Sequence, residues 1–522
     1  MTKKKLCSAL LSTLILASAF YSCKKSTSKP DPVPIIIKND STAILSYYIP
    51  KQLGETIITQ SGDSSIIIIY ATDSLDAANA IPEIIVSNKA TVVPASASKI
   101  DFTANNNKYT YTVTAESGVT AKWYVELRKP APYIFACAPA TFAGIADTYN
   151  DYFTRGDAVT EQWTGADASY SVPLGDGKIL WAFGDTFLGK VYPPDANHKY
   201  RWRNPTSLVS NTFMIQNTNV TPNTFITVTG PKAQSGSYWP VAKTGNEFKT
   251  GPQHEWYWPS DGTVIGDKLY MFFTKFKTLS NGSYYTAATD VFIFSVAELK
   301  GLTATMSTVN SSTLNYFTMP AGQHDETHFG AAILKDGDTD QYIYIADKVD
   351  FYPFGKWHCS KVLKADQKNL YGPRLYLTGY GPAPNYEPQW GNTFAGAAST
   401  KGNMQMLKNG KLSDFLVMNE FGVIKTKNKY RLITQKEGDS RKIVSYESKT
   451  PVGPWECETL IYDITEVDTE PVSTYNGFLH SHIKNGENQY LFGYNLNAQK
   501  FSDVFSRVDT YHPKFIWVTI PD

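Results

Sequence analysis

The chain has 522 residues, of which 42% are hydrophobic, and its 49 basic and 48 acidic side chains leave a formal net charge of +1. This length allows two or three domains and excludes a mini-protein that depends on disulfide or metal staples. The near-zero charge argues against a nucleic-acid-binding protein, because phosphate contacts need a basic excess. Aromatic residues make up 14% of the chain, with 35 Gly and 29 Pro, which favours a turn-rich, all-β protein.

Residues 1–22 have the pattern of a secretory signal peptide. Lysines at positions 3–5 precede an apolar run of about 15 residues, shorter than the roughly 20 that a membrane-spanning helix needs. The small residue before Cys23 resembles a bacterial lipobox, which implies acylation of Cys23 and a Ser/Lys/Pro-rich tether over residues 23–34. The alternative is a plain signal peptide with an incidental Cys23. We therefore expect a cell-envelope lipoprotein of the outer membrane, on either face, that touches the membrane only through its lipid.

Three cysteines remain after the leader and Cys23, namely Cys137, Cys359 and Cys457. They are too widely separated for a disulfide framework or a zinc site, both of which use closely spaced pairs. At most one disulfide can form among them. We expect buried thiols.

Residues 35–130 contain short alternating segments that predict strands. Lys108–Ala115 and Val119–Leu127 flank a Glu-Ser-Gly turn and predict a hairpin. The segment is predicted to form an immunoglobulin-like β-sandwich. A spacer is its expected function, and sugar binding through Trp123 or Tyr124 is the alternative.

Residues 131–522 contain an internal repeat. Five segments share a hydrophilic turn followed by a strand with central aromatic residues, at a mean spacing of about 77 residues. The equivalent aromatic positions are Trp181, Tyr270, Tyr342, Tyr430 and Tyr490. A short strand precedes each turn, the last of them at residues 482–484. The repeat therefore predicts a five-bladed β-propeller, which the terminal strand Lys514–Ile520 closes with the start of the domain. The alternative is two stacked β-sandwiches.

The first strands of propeller blades begin near a common axis. Ionisable residues just before or within the five predicted first strands are Asp167, Asp261, His328, Glu420 and the pair His480 and His482. These side chains should converge on one pocket although they are far apart in the chain.

Asp167 and Asp185 are the central candidates for chemistry. Each lies nine residues from Asp176 in the turn between their strands, so a hairpin places them opposite each other. Two close carboxyl groups repel and push their pKa values apart, which suits one proton donor and one base or nucleophile for glycoside hydrolysis. Turn-capping carboxylates are the alternative for both positions.

Four segments carry a resemblance to a known family. WTGADASYSV from Trp163, GKILWAFGDTFLG from Gly177, RNPTS from Arg203 and WYWPSDG from Trp256 resemble secreted Bacteroides-type proteins that are catalogued as a domain of unknown function and regarded as glycoside hydrolases. That family is similar to five-bladed arabinanases and endo-D-arabinan hydrolases.

The resemblance implies a catalytic aspartate pair at Asp167 and Asp185, Glu420 as general acid, and a polysaccharide of furanoside or arabinan type as substrate. It implies no required cofactor, although calcium on the axis near His328 or His482 is an alternative.

The remaining candidates are expected to bind the sugar. Tryptophan rings stack on sugar faces, and polar side chains take the hydroxyl groups. The predicted substrate-binding residues are Asp261, Trp256, Trp258, Arg203, Asn204, Trp390, His328 and His480. We expect a monomer that hydrolyses a polysaccharide and binds no nucleic acid. A non-catalytic glycan-binding lipoprotein and a protein-binding propeller are the alternatives.

Overall fold

The computed structural model describes residues 38–61, 65–71, 75–128, 136–319, 327–348, 357–382, 385–395, 399–427 and 429–522. The chain divides into two compact units, Met1–Lys129 and Pro130–Asp522. The predicted signal peptide, Cys23 and the tether lie outside the described residues and stay predictions. Among the described residues, no helix is long and apolar enough to cross a membrane.

The described residues of the first unit form seven strands and two short 3₁₀ turns at Ala77–Asn79 and Thr103–Asn105. The strands are β1 Ile44–Tyr48, β2 Gln52–Thr59, β3 Ser65–Ala71, β4 Glu83–Val86, β5 Thr91–Val93, β6 Lys108–Thr114 and β7 Thr120–Arg128. They form a five-stranded sheet in the order β2-β3-β7-β6-β5 and a two-stranded sheet β1-β4. The predicted hairpin is confirmed, because β6 pairs antiparallel with β7.

Alternation along β3 and β7 places one face of the first unit's large sheet in its core. Ile67, Ile69 and Trp123 are fully buried there. The Trp123 indole Nε1 donates to the Thr42 carbonyl oxygen at 2.9 Å, so this ring holds the unit together. Tyr124 points to the other face and is 44% exposed. Of the two rings considered for sugar binding, only Tyr124 is accessible.

The second unit contains the remaining strands and helices, with 3₁₀ turns at Gly251–Gln253 and Val508–Thr510. Its first half comprises β8 Thr141–Ile145, α1 Asp147–Phe153, β9 Gln162–Ala166, β10 Tyr170–Gly175, β11 Lys178–Phe183, β12 Thr186–Tyr192, β13 Trp202–Val209, β14 Thr212–Asn217, β15 Thr224–Thr229, β16 Glu255–Ile265, β17 Lys268–Thr278, β18 Tyr284–Ser295, α2 Val296–Lys300, β19 Met306–Thr308 and β20 Ser311–Thr318. Its second half comprises β21 Thr327–Asp336, β22 Asp340–Lys348, β23 Trp357–Asp366, β24 Leu375–Tyr380, β25 Pro388–Gly391, β26 Gln405–Lys408, β27 Lys411–Asp414, β28 Phe421–Lys425, β29 Tyr430–Lys436, β30 Asp439–Ser448, β31 Glu456–Asp463, α3 Glu466–Thr469, β32 Val472–Lys484, β33 Gln489–Ala498, α4 Asp503–Ser506 and β34 Tyr511–Thr519.

Five sheets of four or five strands dominate the second unit. Their orders are β10-β11-β14-β15-β19, β16-β17-β18-β20, β21-β22-β23-β24-β25, β28-β29-β30-β31 and β32-β33-β34-β8. Each begins with an antiparallel hairpin, and these are the five turn-linked strand pairs that the repeat predicted. The five turn-linked strand pairs are therefore present, each at the start of its sheet.

The five sheets form a closed ring. Their first strands β10, β16, β21, β28 and β32 contact one another in this order, and β32 contacts β10 again. The last sheet is completed by β8, which pairs with the terminal strand β34, as predicted for residues 514–520. Because the first strands surround one axis, their starts meet at one end of the ring, as in a β-propeller.

A disulfide joins Cys137 to Cys457, whose Cα atoms are 5.8 Å apart and whose positions differ by 320 residues. The expectation of buried thiols was wrong for these two cysteines. The fold explains the difference, because β8 contacts β31 and thereby brings the two distant cysteines together. The bond ties the start of the second unit to the fourth sheet and supports the closure made by β8 and β34.

We predict that loss of this disulfide destabilises the second unit by about 3–5 kcal/mol, because the bond restricts a very long loop in the unfolded chain. Chemical denaturation of the wild type with and without reductant, beside Cys137→Ser/Cys457→Ser, measures the effect. The reduced wild type should match the double variant, and the double variant should not respond to reductant. Equal stability of all four samples would contradict the prediction.

Candidate active site

Asp167 and Asp185 lie where two strand ladders meet. Asp167 connects β9 to β10, and Asp185 connects β11 to β12. On one side of the two aspartates β9 pairs with β12, with Ala166 opposite Thr186. On the other side β10 pairs with β11, with Tyr170 opposite Ala182. The Asp167 backbone N–H donates to the Asp185 carbonyl at 3.3 Å. The two residues thus face each other across adjacent strands, as the count from the turn predicts.

The Asp167 carboxyl group packs against the backbone of Gly184. A Cβ atom at Gly184 would lie 2.4 Å from Asp167 Oδ1, so only glycine leaves room for that oxygen. The next residue, Ala168, has a φ of +51°, a left-handed conformation that costs a non-glycine residue energy. Strain of this kind collects at functional sites.

Two tyrosines from the last sheet hold the Asp167 carboxyl. Tyr475 Oη donates to Asp167 Oδ2 at 3.1 Å. Tyr511 Oη donates to the Asp185 carbonyl at 3.0 Å. The contacts of both phenols lower the pKa of Asp167, so they stabilise its carboxylate form.

Burial and charge repulsion oppose the effect of these phenols. Burial, then repulsion by Asp185 and Glu420, raises the pKa of Asp167 well above its usual value, against the lowering effect of its tyrosine contacts. Burial raises the pKa of Asp185 to about 6, while the Trp258 indole opposes the shift by donating from Nε1 to Asp185 Oδ1 at 2.9 Å. Repulsion within the pair thus raises the pKa of Asp167 and favours a state in which the two groups hold one proton between them.

Glu420 shares a cavity with Asp167. This first cavity has a volume of about 560 Å³, within the roughly 300–1,000 Å³ of ligand pockets. Burial raises the pKa of Glu420 to about 7, although a hydrogen bond from Asn476 lowers it. Asn419 Nδ2 donates to Glu420 Oε1 at 3.0 Å. Two carboxyl groups with raised pKa values, Asp167 and Glu420, thus line one cavity although they are far apart in the chain.

Rings and uncharged polar groups form much of the remaining wall. Trp258, Phe276 and His328 line the first cavity. His328 Nε2 lies 2.8 Å from Thr286 Oγ1, and its ring contacts Phe276 edge to face. Of the residues predicted to converge on the axis, the structure brings Asp167, Glu420 and His328 to this cavity, together with Trp258.

Two other predicted residues, Asp261 and His482, lie farther along the first strands and line a second cavity of about 250 Å³. The Asp261 carboxylate accepts backbone N–H bonds from Gly262 at 2.7 Å and Ile333 at 2.8 Å, and it thereby links the second and third sheets. Burial raises the pKa of Asp261 to about 7 and lowers that of His482 to about 4.

His480, expected to bind substrate, is fully buried in the core instead. Its Nδ1 lies 2.6 Å from Ser171 Oγ, and its ring contacts Trp181 at 4.8 Å.

Four predicted sugar-binding residues lie elsewhere. Trp256 is buried against Phe276, and Trp390 packs in the outermost strand of the third sheet. Arg203 is 2% exposed and donates to the Val508 carbonyl at 3.0 Å, which supports the chain just before Tyr511. Asn204 is exposed on β13 opposite Lys190. None of these four is among the described residues that line the first cavity.

The two histidines considered for calcium, His328 and His482, line different cavities. The described residues contain no group of three or more His, Cys, Asp or Glu side chains that could hold a metal ion. Calcium at the axis stays a prediction.

The sequence prediction missed Tyr475, Asn476 and Tyr511. It placed the first strand of the last sheet at residues 482–484, whereas β32 begins at Val472, so Tyr475 and Asn476 occupy the position that His480 and His482 were expected to fill. The register of β32 is interrupted between Tyr475 and Phe478, as at a β-bulge that redirects side chains. A first strand as long as that of the second sheet would include both Tyr475 and Asn476.

Comparison with known proteins gives a family and a fold. Residues 146–519 match the family described as a domain of unknown function, DUF5005. The chain belongs to this family. Residues 44–127 match the family described as SGBP, N-terminal. No curated protein sequence matches the chain.

Solved structures resemble the second unit. A Bacteroides ovatus protein that carries the provisional name of hydrolase is 19% identical, with a TM-score of 0.55 over 72% of this chain and 89% of that one; this likeness shows the fold. An endo-arabinase from Bacteroides thetaiotaomicron is 11% identical, with a TM-score of 0.34 over 71% of this chain and 98% of that one. A family 117 glycoside hydrolase from Zobellia galactanivorans is 10% identical, with a TM-score of 0.34 over 73% of this chain and 92% of that one.

We predict that Trp258→Phe raises the pKa of Asp185 above its value of about 6, by roughly one unit, because the variant keeps a ring but loses the N–H that stabilises the carboxylate. Carbon-13 NMR titration of the aspartate carboxyl groups measures the shift. Trp256→Phe is the matched control, since that ring packs on Phe276. An unchanged Asp185 titration in Trp258→Phe would contradict the assignment of this hydrogen bond.

We also predict that Glu420→Gln is more stable than the wild type above pH 7. The pKa of Glu420 is raised from its usual 4.5 to about 7, so the folded wild type loses stability as pH rises between these values. The variant does not titrate at this position, and its advantage should grow by about 1–3 kcal/mol over that range. Urea unfolding at pH 4 and pH 8 tests this. A stability difference that does not change with pH would be the contrary result.

Proposed function

We propose that the second unit is a five-bladed β-propeller that hydrolyses a polysaccharide at the first cavity. The observation that carries the proposal is the arrangement of Asp167 and Glu420. Both carboxyl groups line one cavity of about 560 Å³, and burial gives both raised pKa values. Hydrolysis of a glycosidic bond needs two carboxyl groups, one to protonate the leaving oxygen and one to act as base or nucleophile.

The pKa shifts support separate roles. The pKa of Asp167 is raised well above its usual value by burial and by repulsion from Asp185, which makes Asp167 the candidate general acid. Glu420, with a pKa of about 7, is the candidate base. This assignment reverses the role that the family resemblance implies for Glu420. Asp185 keeps its charge next to Asp167 and helps to hold the Asp167 proton, so we assign it to tuning the acid rather than to attack.

The wall of the cavity suits a sugar. Trp258 offers a half-buried ring backed by Phe276, and Asn419, Thr474 and Asn476 offer amide and hydroxyl groups. Such a combination stacks on the apolar face of a sugar and hydrogen-bonds its hydroxyl groups. The resemblance of the sequence motifs to those of arabinanase-like proteins makes arabinan the first substrate to test.

A second candidate function is non-catalytic glycan binding at the cell surface. The match of residues 44–127 to the SGBP N-terminal family favours it, since SGBP denotes a surface glycan-binding protein. Lipidation at Cys23 fits either function, because it would hold the protein at the outer membrane. The two functions differ in whether the glycan is cleaved.

We predict that Asp167→Asn and Glu420→Gln each lower turnover at least about 1,000-fold while changing glycan affinity only severalfold, because each removes one proton-transfer group and little surface. Release of reducing ends from a panel of plant and microbial polysaccharides measures turnover, and calorimetry measures affinity. Asp414→Asn, at an exposed position on β27, is the control and should behave as the wild type.

Two results would contradict the hydrolase proposal. One is full turnover by Asp167→Asn or Glu420→Gln. The other is a wild type that binds a glycan but releases no reducing ends from any member of the panel, which would favour the glycan-binding function.

A further inference from the structure

The charged side chains in the described lining of the first cavity are acidic, apart from the imidazole of His328. Asp167 and Glu420 are joined there by Glu437 and Asp439, which lie at the turn between β29 and β30. The described lining contains no lysine and no arginine. His328 is bound to Thr286 through Nε2. The described lining thus presents acidic side chains and no lysine or arginine to an anionic ligand.

Cations near this turn are paired with carboxylates. Lys442 pairs with Asp439 at 2.7 Å, and Lys436 pairs with Glu458. Arg441 pairs with acids of β31 and α3. The Lys442 contact keeps the pKa of Asp439 below its usual value, so Asp439 stays ionised and already occupies the cation nearest to it.

Uncharged polar groups supply the remaining hydrogen-bonding capacity of the wall. Ser260, Thr274, Ser440 and Thr474 offer hydroxyl groups, and Asn419 and Asn476 offer amides. Hydroxyl and amide groups match sugar hydroxyls, whereas a uronate or sulfate group is recognised best by an arginine fork. The wall thus has partners for a neutral sugar and none of the usual partners for an acidic one among its described residues.

We propose that the first cavity selects uncharged glycan units and rejects units that carry a carboxylate or sulfate. That the glycan binds in the first cavity rests on the proposed function. That uncharged units are preferred rests on the charges of the cavity wall. Like charges across a partly desolvated site repel, and such repulsion discriminates between ligands of the same shape.

The test uses pairs of polysaccharides that differ only in charge. Pectate, glucuronoxylan and other uronate-containing polysaccharides are compared with the same material after chemical reduction of its carboxyl groups to primary alcohols. Binding to the full chain is measured by calorimetry or affinity electrophoresis, and turnover by reducing ends. We expect at least a tenfold preference for the reduced member of any pair that binds, and a smaller preference at high salt.

A paired variant connects this preference to the cavity. Glu437→Lys/Asp439→Lys should narrow or reverse the preference, whereas Asp414→Lys, a lysine substitution at an exposed position of β27, should leave it unchanged. Equal or stronger binding of the acidic members by the wild type would overturn the proposal, as would a preference that the paired variant does not alter. Selective binding of neutral members without turnover would sustain this proposal while refuting the hydrolase.

Discussion

Pairing of the first and last strands of the second unit is the constraint on which the rest depends. With β8 against β34, the five sheets form a ring, and the starts of their first strands must share one space. Asp167 from the first sheet, Glu420 before the fourth and Tyr475 from the fifth meet there although hundreds of residues separate them. The Cys137–Cys457 disulfide acts on the same closure, because it fastens the segment before β8 to β31.

Ring closure places several carboxyl groups close together, which raises their pKa values. Carboxyl groups are drawn together where water has limited access, so each is harder to ionise than in solution. Local hydrogen bonds then distinguish them. The Trp258 indole N–H favours the charge on Asp185, whereas Asp167 lies between two phenols and the negative charge of its neighbour. When these buried carboxyl groups ionise at high pH, their mutual repulsion lowers the free energy of unfolding. Such a cost is expected where function and stability compete.

Sequence patterns predicted the features that depend on local order. The turn-linked aromatic strands are local signals, and so is the count from the turn that places Asp167 opposite Asp185. The structure contains both. The terminal strand was also recognised from its own residues, and the structure pairs it with β8. The disulfide and the tyrosines were missed because they depend on contacts between residues far apart in the chain. His480 was misplaced because β32 starts ten residues before the strand that its turn predicted. Trp256 and Trp258 show the limit of composition. Both lie on the same face of β16, yet one ring is buried against Phe276 and the other lines the cavity.

A crystal structure of Glu420→Gln with a bound oligosaccharide tests the central claim most directly. The account predicts a sugar in the first cavity, with one glycosidic oxygen within hydrogen-bonding distance of Asp167 and with the substituted side chain at position 420 near the same anomeric carbon. A sugar bound only at the first unit, or one in the cavity with every glycosidic bond remote from Asp167, would contradict it.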